Sequence, residues 1–257
     1  MKRFMGAVVV AALAATGMVT QNPAHAEAGS WTPSWTFSVD ILSKYVGGPN
    51  NILLYDKPVS QNNIRAQWKS GFYVNVWNSQ ILGTESPVGN AGNEIDYALG
   101  YAGKLGSFGF DISLNYFDLS APKLFEFRGD IVQIGLELNR AFTFDEHTFT
   151  PYLRVEPSWV TAHAAPFGAY FHAGVGHRWK VNDFLTIADS ARIVYDAGVY
   201  GMTEGYNARF DFSPVWKLTP ELDLRFPYAR YFVPLSHYGD GRKNELVLGA
   251  GLDWHPW

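Results

Sequence analysis

Several segments of the chain carry charged residues two positions apart. Glu94 and Asp96 form one such pair, and Arg154 and Glu156 form another. Side chains at alternate positions of a strand point to the same face. Two carboxylates on one face could bind a calcium ion or act as a general acid and base. The same spacing is typical of the water-facing side of a membrane barrel, and we interpret both pairs as residues that line a lumen.

A hydrolytic site is the alternative chemistry, because some membrane barrels modify lipids with a serine and a histidine. Ser236 and His237 are adjacent, and His163 stands in another predicted loop. His177 lies beside Trp179 at the end predicted to be periplasmic, away from outer-leaflet lipids. Adjacent serine and histidine residues in a loop are typical of solvated surface. We therefore predict that the protein is not an enzyme and that it uses no metal and no cofactor.

The segment 93–117 shows the pattern from which a fold class follows. Ile95, Tyr97 and Leu99 alternate with polar or small residues, a turn follows at 103–107, and the alternation resumes from Phe108. A period of two indicates a strand with two unlike faces. Aromatic residues end the apolar face, and no predicted helix covers it. Apolar-outward strands with aromatic ends are the pattern of a transmembrane β-barrel.

The same unit recurs along the chain, so we predict an all-β fold with a single antiparallel transmembrane barrel of about 12 strands, 10 or 14 being the alternatives. The predicted strands are 35–44, 63–69, 72–78, 93–102, 108–117, 130–140, 148–159, 169–179, 184–195, 206–216, 221–231 and 245–254. The strand at 72–78 is partly apolar on both faces, so its register is open. Long and short connections alternate, which predicts long extracellular loops, short periplasmic turns and both termini in the periplasm.

Charged residues at the inward positions are predicted to line the pore. They are Glu94, Asp96, Asp111, Glu137, Arg154, Glu156, Arg178, Arg192, Arg209, Asp211, Asp223 and Arg225. Most acids fall on one wall and most arginines on the opposite wall, with Asp211 and Asp223 expected to neutralise Arg209 and Arg225. We expect a narrow, weakly cation-selective pore. A lumen plugged by bridging charges is the alternative, because twelve strands fall between a filled and an open barrel.

Tryptophans at strand ends predict the membrane interfaces, where aromatic side chains collect. The predicted girdle residues are Trp35, Trp68, Trp159, Trp179, Trp216 and Trp254. All except Trp159 fall at the end predicted to be periplasmic. A soluble β-sandwich would bury these tryptophans, and it explains neither their positions at strand ends nor the alternation of loop lengths.

The first 26 residues have the features of a signal peptide. Lys2 and Arg3 precede an apolar run over 7–19, and residues 24–26 read AHA, a small-x-small cleavage site. We predict a mature barrel over 27–257. Removal of the two basic residues lowers the net charge from −4 to −6, which argues against nucleic acid as a partner. The absence of cysteine means that the exported fold forms without disulfides.

Two stretches carry a resemblance to a known family. Residues 70–79 read SGFYVNVWNS and residues 93–103 read NEIDYALGYAG. Both resemble motifs of the Gcw_chp family, also called TorF-type porins. The resemblance covers about the first half of the mature chain, departs at 44–47, and fades after Phe117. It implies an outer-membrane barrel, and the family name describes an architecture more than a measured activity.

We therefore expect an outer-membrane porin-like protein that passes small polar or ionic solutes by diffusion. The alternatives are a lipid-modifying enzyme and a non-conducting barrel that acts through its loops. The expected partners are outer-membrane lipids, the solutes, and the barrel-assembly machinery. The stretch 249–254, GAGLDW, resembles the terminal-strand signal that this machinery recognises, although the chain continues for three residues.

Overall fold

The fold is described from a computed structural model that covers residues 31–83, 93–119, 130–161, 167–239 and 241–256. The predicted signal peptide at 1–26 and His163 lie outside these residues. The described residues form fifteen strands: β1 (Ser34–Leu42), β2 (Tyr45–Val46), β3 (Leu53–Tyr55), β4 (Val59–Gln67), β5 (Phe72–Ile81), β6 (Glu94–Leu105), β7 (Phe108–Asp118), β8 (Ile131–Asn139), β9 (Phe142–Phe144), β10 (His147–Val160), β11 (Gly168–Lys180), β12 (Leu185–Asp196), β13 (Gly205–Lys217), β14 (Leu222–Pro234) and β15 (Glu245–Trp254).

Twelve of these strands close into one antiparallel barrel. Their order around the ring is β1, β4, β5, β6, β7, β8, β10, β11, β12, β13, β14 and β15. The ring closes because β15 pairs with β1, from Phe37 opposite Trp254 to Leu42 opposite Gly249. Each predicted strand corresponds to one barrel strand, so the predicted fold class and the count of twelve are confirmed.

The two faces of the barrel follow the alternation in the sequence. Outward positions such as Leu99, Leu114 and Leu153 are exposed apolar side chains. Inward positions on the same strands are polar and largely buried. The open register of the strand at 72–78 is resolved, because Asn75 and Trp77 face inward while Val74 and Val76 face outward. The apolar side chains therefore form the surface, as a lipid-facing barrel requires.

Short and long connections lie at opposite ends of the barrel. The end that carries the short connections, at 68–71, 106–107, 140–146, 181–184 and 218–221, is called the turn end. The end that carries the connections 43–58, 82–93, 119–130, 161–167, 197–204 and 235–244 is called the loop end. Both β1 and β15 reach the turn end. Among the described residues, no helix has the length and apolar character needed to cross a membrane.

The connection 43–58 does not remain outside the barrel. Its strands β2 and β3 form a separate two-stranded sheet, and residues 45–51 are all buried. This unit, residues 45–55, is called the inserted hairpin. It packs into a cluster of buried apolar side chains that includes Leu42, Val59, Trp77 and Phe232. The apolar core of the protein thus lies inside the barrel, near the loop end.

Candidate functional site: the lumen and the inserted hairpin

The tip of the inserted hairpin is a tight turn formed by residues 47–52. Gly47 N donates to Ile52 O at 2.7 Å, and Asn51 N donates to Gly47 O at 2.9 Å. Asn51 adopts a positive φ of 57°, a left-handed conformation that asparagine tolerates better than most residues. The sequence Gly-Gly-Pro-Asn-Asn at 47–51 is therefore suited to a compact turn that needs little space.

This tip crosses the lumen to the wall that β11, β12 and β13 form. The hydrogen bonds between the tip and its surroundings are Asn50 Nδ2 to Tyr170 Oη (3.2 Å), Asn51 Nδ2 to Ala208 O (3.4 Å), Arg192 Nη2 to Gly48 O (3.1 Å), Asn207 Nδ2 to Pro49 O (3.4 Å) and Arg242 Nη1 to Asn50 O (2.9 Å). These partners lie on β11, β12 and β13 and in the connection before β15. The hairpin is thus fixed at its far end as well as at its base.

The base of the hairpin is fixed to the opposite side of the ring. Tyr45 Oη donates to Glu94 Oε2 on β6 at 2.6 Å. Burial, followed by the charges of Glu94 and Asp96, raises the pKa of Tyr45 well above its usual value. The pKa of Tyr200 is raised well above its usual value by the same causes. Both phenols therefore remain protonated at neutral pH, so they can donate hydrogen bonds to carboxylates.

A second connection also covers the lumen at the loop end. A short 3-10 helix, Val199–Gly201, follows β12, and Val199 is completely buried. Tyr200 has a positive φ of 64°, which is unusual for an aromatic residue and costs on the order of 1–3 kcal/mol. Its side chain packs against the buried residues Phe117 and Ile131 on the far wall. The connection thus holds Tyr200 in a strained conformation over the lumen.

Inside the barrel, charged side chains pair with neighbours on adjacent strands. Arg154 lies between two carboxylates, with Nε 2.5 Å from Glu156 Oε1 and Nη1 3.5 Å from Glu137 Oε2. The second oxygen of Glu156 lies 2.8 Å from His172 Nε2. Arginine in a fork between carboxylates is a strong, charge-assisted arrangement. The pair of Arg154 and Glu156 that the sequence indicated is therefore part of a four-residue cluster.

Two further clusters involve the arginines of β13 and β14. Asp211 accepts hydrogen bonds from Arg209 and Arg230, with Nη2 of Arg209 at 2.7 Å and Nε of Arg230 at 2.9 Å. Arg225 lies 2.7 Å from both Asp40 Oδ1 and Asp253 Oδ2. The prediction that Asp211 neutralises Arg209 agrees with this geometry. The expected pairing of Arg225 with Asp223 is wrong, because Asp40 and Asp253 approach Arg225 from β1 and β15.

Strand register places all twelve predicted lining residues on the inner face. The pairings that show this include Asp111 with Glu137, Arg192 with Arg209, and Arg225 with the inward Gly251. Glu94 and Asp96 lie near the loop end, where they are buried. Arg178 and Asp223 lie near the turn end, where they line a cavity together with Thr186 and Val215. Their role in conduction stays a prediction.

The predicted tryptophans occupy the two rims of the outer face. Trp35, Trp179, Trp216 and Trp254 are exposed at the turn end, and Trp68 lies in the connection after β4. Trp159 is exposed near the loop end of β10. Trp35 stacks on Phe37, and Trp254 contacts the same ring in a tilted arrangement, so an aromatic group covers the seam between the first and last strands. Their role as membrane-interface girdles stays a prediction.

The outer face also carries a polar chain that the sequence reasoning missed. His147 Nδ1 lies 2.9 Å from His177 Nε2, and His177 Nδ1 lies 3.0 Å from Asp189 Oδ2. Trp179 stacks on His147. All three polar residues occupy outward positions near the turn end, so alternation places them together.

The serine of the predicted Ser236–His237 pair lies in the loop 235–244. Its Oγ accepts a hydrogen bond from Tyr206 N at 2.8 Å.

Several residues that form contacts inside the lumen were not among the twelve predicted lining residues, for two reasons. Asp40, Arg230 and Asp253 stand at inward positions, so the same alternation identifies them as lumen residues. Asn50 and Arg242 lie in connections, where no periodic pattern exists. Their inward placement depends on contacts with distant strands. Among the described residues, no group of three or more His, Cys, Asp or Glu side chains is arranged to hold a metal ion.

The closed ring, the apolar outer face and the polar inner face define an outer-membrane type of β-barrel. A solved structure of the NanC porin is similar to this chain, with a TM-score of 0.55 and 13% identity over 85% of this chain and 98% of that one. The COG4313 outer membrane channel from Pseudomonas putida F1 is also similar, with a TM-score of 0.50 and 10% identity over 90% and 100% of the two chains. At these identities the likeness concerns the fold alone.

The family resemblance is confirmed by a match to a family model. Residues 27–149 match the family described as "Bacterial protein of unknown function (Gcw_chp)". The match includes both motifs, at 70–79 and 93–103. Among curated proteins, no sequence matches this chain.

Proposed function

We propose that this protein is an outer-membrane channel through which small polar or ionic solutes diffuse, and that the inserted hairpin sets its narrowest point. One observation carries this proposal. Charged side chains of both signs line the turn half of the lumen and remain partly exposed to water, as for Asp40 (20%) and Arg225 (18%), whereas the hairpin occupies the loop half. Water-accessible charges along the inner wall are the kind of lining by which channels select ions.

The size of the ring supports a narrow pore. About eight strands leave room only for side chains, whereas 16–18 strands leave an aqueous channel. Twelve strands with a hairpin inside leave a limited path between the hairpin and the wall.

The net charge of the chain bears on ion selectivity. We infer weak cation selectivity from the net charge of −4, which the predicted removal of residues 1–26 makes more negative. The polar lining selects for hydrated or hydrogen-bonding solutes.

The orientation belongs to the same proposal. The turn end and both termini lie in the periplasm, and the long connections lie outside the cell. The outward row of β15, with Leu248 and Leu252, provides the surface for the barrel-assembly machinery. Protease treatment of intact cells tests this orientation. Cleavage within 235–244 is expected, and cleavage at 218–221 in intact cells would reverse the orientation.

Planar-bilayer conductance is the direct test of the channel. Excision of residues 48–51 can be closed with a short link, because Gly47 and Ile52 already share a backbone hydrogen bond. We expect small conductance steps from the wild type and steps several-fold larger from the excision variant. Asn62→Ala, on the outer face of β4, is the control and should conduct like the wild type.

The other outcomes separate the alternatives. A silent wild type with a conducting excision variant indicates a plugged barrel that requires a signal to open. Silence from both proteins contradicts the channel and leaves an interaction protein or an enzyme. Turnover of purified lipids that Ser236→Ala abolishes would establish the lipid-modifying alternative. We propose that no such turnover occurs, because adjacent serine and histidine residues in a loop are typical of solvated surface, and His237 is exposed there.

A further inference from the structure

Three buried oxygen atoms at the loop end of the inner wall have no hydrogen-bond partner among the described residues. They are Glu94 Oε1, Asp96 Oδ1 and Ser79 Oγ. Glu94 and Asp96 occupy consecutive inward positions of β6, and Ser79 stands directly opposite Glu94 on β5. Directly opposed residues of neighbouring strands have Cβ atoms about 4.5–5.5 Å apart. The three oxygens therefore belong to one small region of the wall.

Two buried carboxyl groups share this region. Glu94 and Asp96 stand two positions apart on the inner face of β6, so their buried carboxyl groups are neighbours. Among the described residues, neither forms an ion pair with a lysine or an arginine. Two buried carboxylates at this distance cannot both remain ionised without a positive charge between them. Glu94 Oε2 accepts a hydrogen bond from the Tyr45 hydroxyl, whereas Glu94 Oε1 and Asp96 Oδ1 have no partner among the described residues.

Ser79 is an independent indication of a ligand. Ser79 is only 1% exposed, and a buried hydroxyl without a hydrogen-bond partner is unfavourable. A cation would satisfy this hydroxyl through its lone pairs and the two carboxylate oxygens through their charge. All three atoms are hard oxygen donors, which Ca²⁺ prefers, and two carboxylates match its charge.

We propose that Glu94, Asp96 and Ser79 bind a calcium ion at the base of the inserted hairpin. Water molecules complete the coordination, since calcium takes six to eight oxygen ligands. The ion would hold β5 and β6 beside Tyr45, so the base of the hairpin and the metal share Glu94. This site is a property of the fold and does not depend on transport.

Calorimetric titration of the refolded, chelator-treated protein in detergent with CaCl₂ tests the proposal. We expect one site per chain. Asp96→Asn should weaken binding on the order of tenfold or more, and Ser79→Ala should weaken it several-fold. Asp111→Asn is the matched control, because this lumen carboxylate accepts a hydrogen bond from Tyr73 at 2.9 Å and lies nearer the turn end. It should bind calcium like the wild type.

Heat-modified electrophoretic mobility reports whether each variant is folded. Calcium should raise the temperature at which the wild-type barrel unfolds, because a ligand that binds only the folded state stabilises it. It should not do so for Asp96→Asn. If that variant does not fold, Ser79→Ala carries the test, because it removes no charge.

Two outcomes would overturn the proposal. The first is a wild type that binds no calcium at millimolar concentrations, which means that a shared proton joins the two carboxyl groups. The second is an equal loss of binding in Asp96→Asn and Asp111→Asn, which means that calcium collects along the acidic lumen without a defined site.

Discussion

The two halves of the lumen are built from the same twelve strands but differ in what fills them. In the loop half, the inserted hairpin and the 3-10 helix meet a wall of buried side chains, and Glu156 is only 2% exposed. In the turn half, Glu137 (16%) and Asp253 (13%) pair with arginines and keep contact with water. The wall residues are alike in type. The difference in burial between the two halves therefore comes from the connections that enter the lumen, the inserted hairpin and the 3-10 helix, and not from the strands of the wall.

This difference indicates that the loop half contributes more to the stability of the barrel, whereas the turn half stays open to water. Groups in the loop half resemble a protein interior, so removing one leaves a cavity or an unpaired charge. Groups in the turn half resemble a hydrated surface, where water replaces a lost partner. Matched substitutions in the two environments should separate these cases.

The largest expected effect is in the apolar cluster of the loop half. Phe232 is completely buried there, so Phe232→Ala should lower the free energy of unfolding by about 4 kcal/mol. Phe212→Ala removes the same ring from the outer face, where the side chain is 42% exposed, and should cost much less. Urea unfolding of barrels refolded into lipid vesicles measures both. Similar losses would mean that the cluster is not a core.

The two carboxylates that flank Arg154 provide the next comparison. Glu156→Gln removes a buried partner and should cost about 3 kcal/mol. Glu137→Gln removes a partner that is more exposed and lies at 3.5 Å, and should cost about 1 kcal/mol or less. The same unfolding assay applies. A larger cost for Glu137→Gln would contradict the division of the lumen into dry and wet halves.

Water access can be measured because the chain contains no cysteine. Ser38→Cys faces the turn half, and Ser158→Cys faces the loop half, where Ser158 is 1% exposed. A small charged thiol reagent should modify Cys at 38 faster than at 158 on the order of 100-fold, because reaction at 158 requires local opening. Mass spectrometry gives both rates. Equal rates would show that water fills the whole lumen.

The smallest expected effect concerns alkaline pH. The pKa of Tyr45 is raised in the folded protein, so this phenol stabilises the fold below its unfolded value of about 10 and the stabilisation declines as the pH rises above that value. Wild type should lose stability faster than Tyr45→Phe above pH 10, by about 1 kcal/mol per pH unit. Parallel curves for the two proteins would mean that Tyr45 is not buried against Glu94.

The sequence predicts the barrel well because its wall is periodic. Alternation identifies the inner and outer faces of each strand, and register carries that assignment around the ring, as for Asp111 opposite Glu137. The inserted hairpin has no such signal. A Gly-Gly-Pro-Asn-Asn turn predicts only that the chain reverses. Its position depends on hydrogen bonds to Tyr170 and Arg242, which are more than a hundred residues away.

The sequence also predicts only some of the ion pairs in the lumen, because some partners are close in sequence and others are not. Arg209 and Asp211 pair along one strand, and their spacing predicts it. Arg225 instead pairs with Asp40 and Asp253, because the closed ring brings β1 and β15 beside β14. Sequence reasoning assigned Asp223 to Arg225 by proximity in the chain. When the barrel closes, Arg225 pairs with Asp40, from the start of the described chain, and with Asp253, from its end, and not with the nearby Asp223.

The seam between β1 and β15 has a consequence for the time course of folding. Phe37 pairs with Trp254, so the contact that removes the last free edge joins residues more than two hundred positions apart. Contacts of high sequence separation form slowly, because the intervening chain must first lose its freedom. Until they form, β1 exposes unpaired backbone groups that invite pairing with other chains. The barrel is therefore most vulnerable to aggregation just before completion, and a factor that shields the edge of β1 would raise the yield of folded protein.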